Sequence, residues 1–355
     1  MAITVGSHTI GDGCPTFVVA EMASAHDGSV EKAKTIIEGA ARAGANAVNF
    51  HLTSLEDYMV PSYRTGPGRV SAGKETRPIF EYLQSINLSW SDWLELSAYA
   101  RDSGLMVSAL CNDFQSLEFA SSQLNPHMFM IHPSAIGEEA FVRAVARLQK
   151  PVVLYIGGCW LGEVERAIRS AKEEGNERLI LQHGFQSYPT EPADMNLRFI
   201  RTLKGLFGLP VAFGDHTDGG SELALIIPLL AAAMGANVIE KHITYDRAAR
   251  GEDFESALDP ADFNVFVQRL RQAQEAFGSS TWRPLSPREL DYRDVVKKRA
   301  VASRTIPKGT VITPDDVAFK RSDEGIYPEE LHILIGRRTA KELTENTSIT
   351  WDVVT

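Results

Sequence analysis

Short runs rich in β-branched and other apolar residues occur at 17–22, 47–51, 105–110, 128–133, 151–156, 179–183, 210–216 and 236–242. Between them lie longer stretches in which apolar positions recur every three or four residues, as at 30–43, 90–103, 161–174 and 221–234. Strands carry side chains on alternate faces and surface helices carry an apolar stripe, so the pattern predicts eight strand–helix units. Eight such units in roughly 250 residues predict an α/β fold of the closed (β/α)8 TIM barrel type. An open doubly wound sheet is the alternative. It is weakened because no G-x-G-x-x-G turn follows the first strand.

A helix over 260–277 should close the barrel, followed by a polar stretch at 278–288. From 296 the pattern changes to short strand-like pieces at 299–303, 308–313 and 317–320, with a short helix at 328–335. The chain therefore divides into a barrel (1–280), a linker (281–296) and a small β-rich domain (297–355). So small a domain buries little core alone and should dock on another surface, helping to cover the barrel mouth.

A formal net charge of −10 argues against nucleic-acid partners and anionic membranes. The longest apolar stretch, 223–238, is broken by Pro228, Gly235 and Asn237 and reads as a buried helix running into a strand. The first residues have no charged segment leading into an apolar one, so secretion is not expected. Three scattered cysteines (Cys14, Cys111, Cys159) make neither a disulfide framework nor a CxxC metal site, and a cytoplasmic location is expected.

In a barrel of this type the chemistry sits at the C-terminal ends of the strands. Six of nine histidines fall there or just after: His26, His51, His132, His183, His216 and His242. Residues i and i+2 of a strand share a face, which pairs Asn49 with His51, Gly214 with His216 and Glu240 with His242. Neutral imidazole is a common metal ligand, so His51, His216 and His242 form the candidate metal set. Glu21, Asp215 and Glu240 are candidates to orient the imidazoles or act as general base, and Lys241 to pair with them. The aromatics Tyr155, Trp160, Phe185, Phe213 and Phe254 suggest either a less polar pocket or core packing.

These segments resemble the sialic acid synthase family. Phe17-Val-Val-Ala-Glu-Met and Ala25-His-Asp-Gly resemble its first strand and following loop. Gln182-His-Gly-Phe-Gln-Ser-Tyr-Pro-Thr resembles its His-Cys-Thr-x-x-Tyr-Pro-Thr segment. Gly214-Asp-His-Thr and Ile239-Glu-Lys-His-Ile-Thr resemble Ser-Asp-His-Thr and Ile-Glu-Lys-His-Phe-Thr. Ala302-Ser-Arg-Thr-Ile-Pro-Lys-Gly-Thr-Val resembles the antifreeze-like (SAF) domain. The resemblance implies a barrel with an appended SAF domain, a domain-swapped homodimer, and condensation of phosphoenolpyruvate with an acylated amino sugar. It implies a divalent metal, usually manganese, on His216 and His242, with Glu21 beside the reacting sugar and Arg321 reaching the substrate. Asn49, Ser134, Tyr155, Gln186 and Tyr188 stand at its substrate-binding positions.

The phosphoenolpyruvate grip is where this chain departs. Lysines, hydroxyls and an amide hold phosphate and carboxylate in the family. Here Lys-Phe-Gln of the second strand is Asn49-Phe50-His51, and Lys-Ile-x-Ser of the fourth is Ile131-His132-Pro133-Ser134. Ser-Thr-Gly-Met of the fifth strand is Tyr155-Ile156-Gly157-Gly158. Leu110 and Gly214 stand for hydroxyl residues, and Phe185-Gln186 for a hydroxyl and an amide. Each charged hydrogen bond contributes about 1.5–3 kcal/mol, so these losses oppose ordinary phosphoenolpyruvate use. The expected function is a repurposed metalloenzyme acting on a sugar-derived or hydroxy/keto-acid substrate in carbon–carbon bond chemistry. The alternatives are a nonulosonic acid synthase using phosphoenolpyruvate and, with Fe(II) on three histidines, an oxygenase. Zinc is a further candidate metal.

Overall fold

The computed structural model describes residues 2–62, 78–278 and 281–355, so residues 279–280 of the polar stretch lie outside the described residues. The chain divides into two compact units, Met1–Gly278 and Ser279–Thr355.

In the first unit β1 (Ala2–Val5) and β2 (His8–Gly11) form an antiparallel hairpin. The strands β3 (Phe17–Glu21), β4 (Ala47–Leu52), β5 (Met106–Cys111), β6 (Met128–Ile131), β7 (Val152–Tyr155), β8 (Leu179–His183), β9 (Val211–Asp215) and β10 (Val238–His242) follow. They close into one barrel in chain order, with β10 pairing β3 in parallel register, His242 opposite Glu21. The eight-stranded barrel is as expected, and closure excludes the open sheet.

Parity along the strands decides which residues reach the interior. Phe17, Val19, Met106, Met128, Val153, Ile180, Ala212 and Val238 cluster inside the barrel with Ile3, Val5 and Ile10 of the hairpin, which plugs its N-terminal end. Their neighbours Val18, Val48, Ile131, Leu154, Leu181, Phe213 and Ile239 belong instead to the core between strands and helices. Among the helices, Val30–Ala43 starts at Ser29, whose hydroxyl accepts from Lys32 N–H, and ends at Gly44 with φ 81°. It packs against Pro260–Phe277, and Gly39 permits the approach: a Cβ there would lie 2.8 Å from Pro260 Cβ. The helix expected over 221–234 is split into a 3-10 turn (Glu222–Leu225) and Ile227–Ala233. Pro228 has no N–H to donate and sits in the first turn of the second piece. No helix among the described residues is long and apolar enough to cross a membrane.

In the second unit β11 (Lys298–Ala302) pairs antiparallel with β12 (Val317–Arg321) over a core that includes Ile306, Ile312, Leu334, Leu343 and Ile349. The piece expected as a strand at 308–313 makes only an isolated bridge, Val311 to Arg338. A helix, Pro287–Val296, occupies most of the expected linker. Its signal was legible: Ser286 and Glu289 form a reciprocal capping box, with Pro287 at the first helical position.

Candidate active site

The C-terminal ends of the barrel strands surround a cavity of about 240 Å³. That is room for roughly eight waters at about 30 Å³ each, the scale of a sugar. Glu21, His26, His51, Leu110, His132, Tyr155, Tyr188, His216, Glu240, His242, Glu252 and Asp253 line it.

Glu21 ends β3 and is 2 % exposed. Its Oε2 accepts from Asn49 Nδ2 at 2.6 Å, its Oε1 accepts from Ala23 N–H at 2.6 Å, and His51 Nε2 lies 3.2 Å from Oε1. Ala23 takes φ 43°, a left-handed conformation that costs an alanine strain and here aims its amide at the carboxylate. Burial pushes the Glu21 carboxyl up. The charge and hydrogen bond of His51, with His242 and Asn49, outweigh burial and hold it at about 2. Glu240 is the opposite case. Burial, then the charge of Glu21, raises it well above the carboxylate range. Its Oε1 accepts from Gln182 Nε2 at 2.5 Å, while Oε2 is buried without a partner. An ionised and a protonated carboxyl therefore sit side by side, the division by which acid and base roles separate.

His216 and His242 face each other with ring centroids 5.1 Å apart, beside the Tyr188 ring at 4.4 and 5.8 Å. His216 Nδ1 donates to Phe185 C=O at 2.8 Å, which leaves the lone pair on Nε2, 3.3 Å from the Tyr155 hydroxyl. Burial, then the neighbouring His242, lowers His216 to about 3; burial lowers His242 as well. Both rings are neutral at pH 7. His242 Nδ1 is buried without a hydrogen-bond partner. His51, by contrast, is tied to Glu21. Among the described residues no group of three or more His, Cys, Asp or Glu side chains is arranged to hold a metal ion.

Two residues expected in catalysis lie elsewhere. Lys241 and Asp215 are register partners on β10 and β9, and each is flanked by inward-facing residues, so both turn to the outer face of the barrel. There Lys241 Nζ donates to Asp215 Oδ2 at 2.8 Å, with both side chains 0 % exposed. The same parity turns Ile131 outward, so the inward position at the end of β6 is His132 rather than the residue matched to the family's lysine. His183 also faces outward, bonded to Met195 C=O at 2.9 Å and packed against Phe199 and Phe213.

Of the expected substrate contacts, Tyr155 and Tyr188 line the cavity. Asn49 lies fully buried beneath it, and Ser134 borders a neighbouring rim pocket. Gln186 accepts from the Tyr188 hydroxyl at 2.8 Å without reaching the cavity wall. Arg321 ends β12 in the second unit and is exposed. Of the candidate pocket aromatics, only Tyr155 lines the cavity. Phe213 is core, Trp160 and Phe185 are exposed, and Phe254 lies under the Arg250 guanidinium. Sequence reasoning missed Glu252 and Asp253, on the loop after β10. Glu252 Oε2 accepts from the Tyr82 hydroxyl at 2.7 Å, and its N–H donates to Asp27 Oδ1 at 2.9 Å. Their signal was position: an acidic pair in a loop that follows a barrel strand.

Tyr155 explains two glycines. A Cβ on Gly214 or on Gly184 would each lie 2.7 Å from the Tyr155 hydroxyl, so the phenol fills space that a serine at 214 would need. Gly214→Ser should therefore destabilise the barrel by about 1–3 kcal/mol through overpacking. In a Tyr155→Phe background, which lacks the hydroxyl, the loss from Gly214→Ser should be smaller in urea unfolding. Equal stability of Gly214→Ser and wild type would show that the two positions are not coupled.

The model of the NeuB family matches residues 36–281, and that of the SAF domain residues 299–355. An uncharacterized protein of Methanocaldococcus jannaschii is 31 % identical over 350 residues, 99 % of this chain and 98 % of its own. The N,N'-diacetyllegionaminic acid synthase of Legionella pneumophila is 31 % identical over 346 residues, 96 % of this chain and 95 % of its own. The crystal structure of an N-acetylneuraminic acid synthetase from Leptospira borgpetersenii superposes with a TM-score of 0.72 at 27 % identity, covering 83 % of this chain and 96 % of that one. A family match over most of the chain, on a closed barrel followed by a SAF domain, shows that this chain belongs to the NeuB family, that of the sialic acid synthases.

Proposed function

We propose that this protein is a metal-dependent enzyme acting on a neutral, sugar-derived hydroxy-carbonyl substrate in carbon–carbon bond chemistry, without phosphoenolpyruvate. One observation carries the reading. Among the described residues, the cavity wall holds five histidines and four carboxylates but no lysine or arginine. Glu21 is held as an anion there. Like unit charges about 6 Å apart repel by roughly 3 kcal/mol at an effective dielectric of about 20, so a phosphate and carboxylate would meet repulsion rather than a grip.

His216 and His242 are the residues that would hold a divalent ion. Two features support this: His216 Nε2 is left as a lone pair by the bond from Nδ1 to Phe185 C=O, and His242 Nδ1 is a buried nitrogen without a partner. A bound ion would polarise a carbonyl or hydroxyl oxygen. Manganese follows from the family resemblance. In the three-histidine oxygenase reading His51 would bind through Nδ1, because its Nε2 is engaged by Glu21.

The second reading, a nonulosonic acid synthase using phosphoenolpyruvate, is favoured by the Legionella relative's name and its coverage of nearly the whole chain. Thermal unfolding separates the two. A ligand at 100 times its Kd stabilises by about 2.7 kcal/mol. Mn(II) alone should raise Tm, and millimolar phosphoenolpyruvate added to it should raise Tm no further. A further rise with phosphoenolpyruvate would establish the second reading.

A further inference from the structure

We propose that His51 and His132 are an acid–base pair that enolises the substrate, His51 Nδ1 as the base and His132 Nε2–H as the donor to the carbonyl oxygen. The proposal rests on the reading of the site as one for a neutral hydroxy-carbonyl compound. Its evidence is the hydrogen each ring carries. The Glu21 carboxylate already accepts from Asn49 and from the Ala23 amide, and its Oε1 lies 3.2 Å from His51 Nε2. A carboxylate only accepts, so His51 Nε2 bears the hydrogen and Nδ1 keeps the lone pair. His51 is 26 % exposed in the cavity wall, within reach of a ligand. His132 is the reverse. Its Nδ1 accepts from Ser134 N–H at 3.3 Å and lies 2.8 Å from Ser134 Oγ, so the hydrogen sits on Nε2.

The environments reinforce the division. Burial alone would lower the basicity of His51, but Glu21 and then Asp253 outweigh it and raise it above the ordinary histidine value. Burial, with His51 nearby, lowers His132 to about 4, so it stays neutral and donates. His26 and His242 also border the cavity, and burial lowers both. A carboxylate-backed imidazole and a neutral imidazole donor lining one cavity suit removal of a proton beside a carbonyl. The C–H bond breaks and its proton passes to His51 Nδ1. The electron pair becomes the C=C bond of an enolate, and the carbonyl π pair moves to the oxygen that accepts from His132 Nε2–H. Return of the proton restores the carbonyl, so this half-reaction needs no co-reactant. Glu21 is a positioning residue that acts through His51.

The test is proton exchange in D2O, followed by 1H NMR, with the full chain, Mn(II), and either dihydroxyacetone or N-acetylmannosamine as probe. Wild type should exchange the proton beside the carbonyl of at least one probe about 100-fold faster than Mn(II) buffer alone. His51→Gln should return the rate to within a few-fold of buffer, and His132→Gln should lower it at least tenfold, each with unchanged Mn(II) affinity. Glu21→Gln should move the midpoint of the rate–pH profile to lower pH, a shift that a purely structural role would not produce. No exchange by wild type with either probe overturns the pair, as does undiminished exchange by His51→Gln. Should a variant fail to fold, 15N spectra of the histidine-labelled wild type decide: above the pH at which His51 loses its proton, a hydrogen on Nδ1 of the neutral ring overturns the assignment. Stabilisation by phosphoenolpyruvate would instead overturn the underlying reading, so the two failures are distinct.

Discussion

Replacing Lys241 by methionine should lower the stability of the barrel by about 3–5 kcal/mol, the cost of stranding a buried charge. The ammonium and Asp215 Oδ2 are 2.8 Å apart with both side chains fully buried. Asp215 Oδ1 is also committed, accepting from Thr217 N–H at 3.0 Å and from Thr217 Oγ1 at 2.5 Å. Methionine matches the length of lysine and leaves the packing largely intact, so the loss reads the charge. A typical domain has only 5–15 kcal/mol in hand, so much of the margin would go. The double variant Asp215→Asn, Lys241→Met should recover part of the loss, because no charge is then left unpaired. The measurement is the urea midpoint and slope for wild type and both variants. A loss below about 1 kcal/mol would put this pair on the footing of an exposed one. The pair also joins the ends of β9 and β10, next to His216 and His242, so the single variant should loosen the candidate metal site.

Replacing His216 by alanine should weaken Mn(II) binding at least about 100-fold, beyond the 10–100-fold typical of losing an outer-shell partner. Alanine at His51 should change it by less than about threefold. The contrast comes from position: His216 and His242 face each other with ring centroids 5.1 Å apart, whereas among the described residues no three His, Cys, Asp or Glu side chains are gathered as a metal site. Calorimetric titration of metal-stripped protein reads all three affinities. Equal collapse in His51→Ala and His216→Ala would restore the three-histidine site expected from the sequence. Undisturbed binding in His216→Ala would remove the pair from the metal altogether.

The sequence by itself determined the eight strands, the closing helix and the small second unit, because apolar periodicity and capping residues act over a few neighbours. It also put Glu21, His51, His216, Glu240 and His242 at the mouth, since strand ends in this fold converge there. The outward turn of Lys241 and Asp215 was legible too: once Glu240 and His242 face in, the residue between them faces out. The capping box that starts Pro287–Val296 was equally local. Only the tertiary structure decided which nitrogen of each histidine is free, because the partners fixing His51 and His216 come from other strands and loops. It alone brought the loop with Glu252 and Asp253 over the cavity and set Tyr155 into the space above Gly184 and Gly214. The separation of Glu21 from Glu240 into an anion and an acid belongs there as well. It depends on burial and on charges brought close by closing β10 onto β3, residues more than two hundred positions apart that no local pattern can pair.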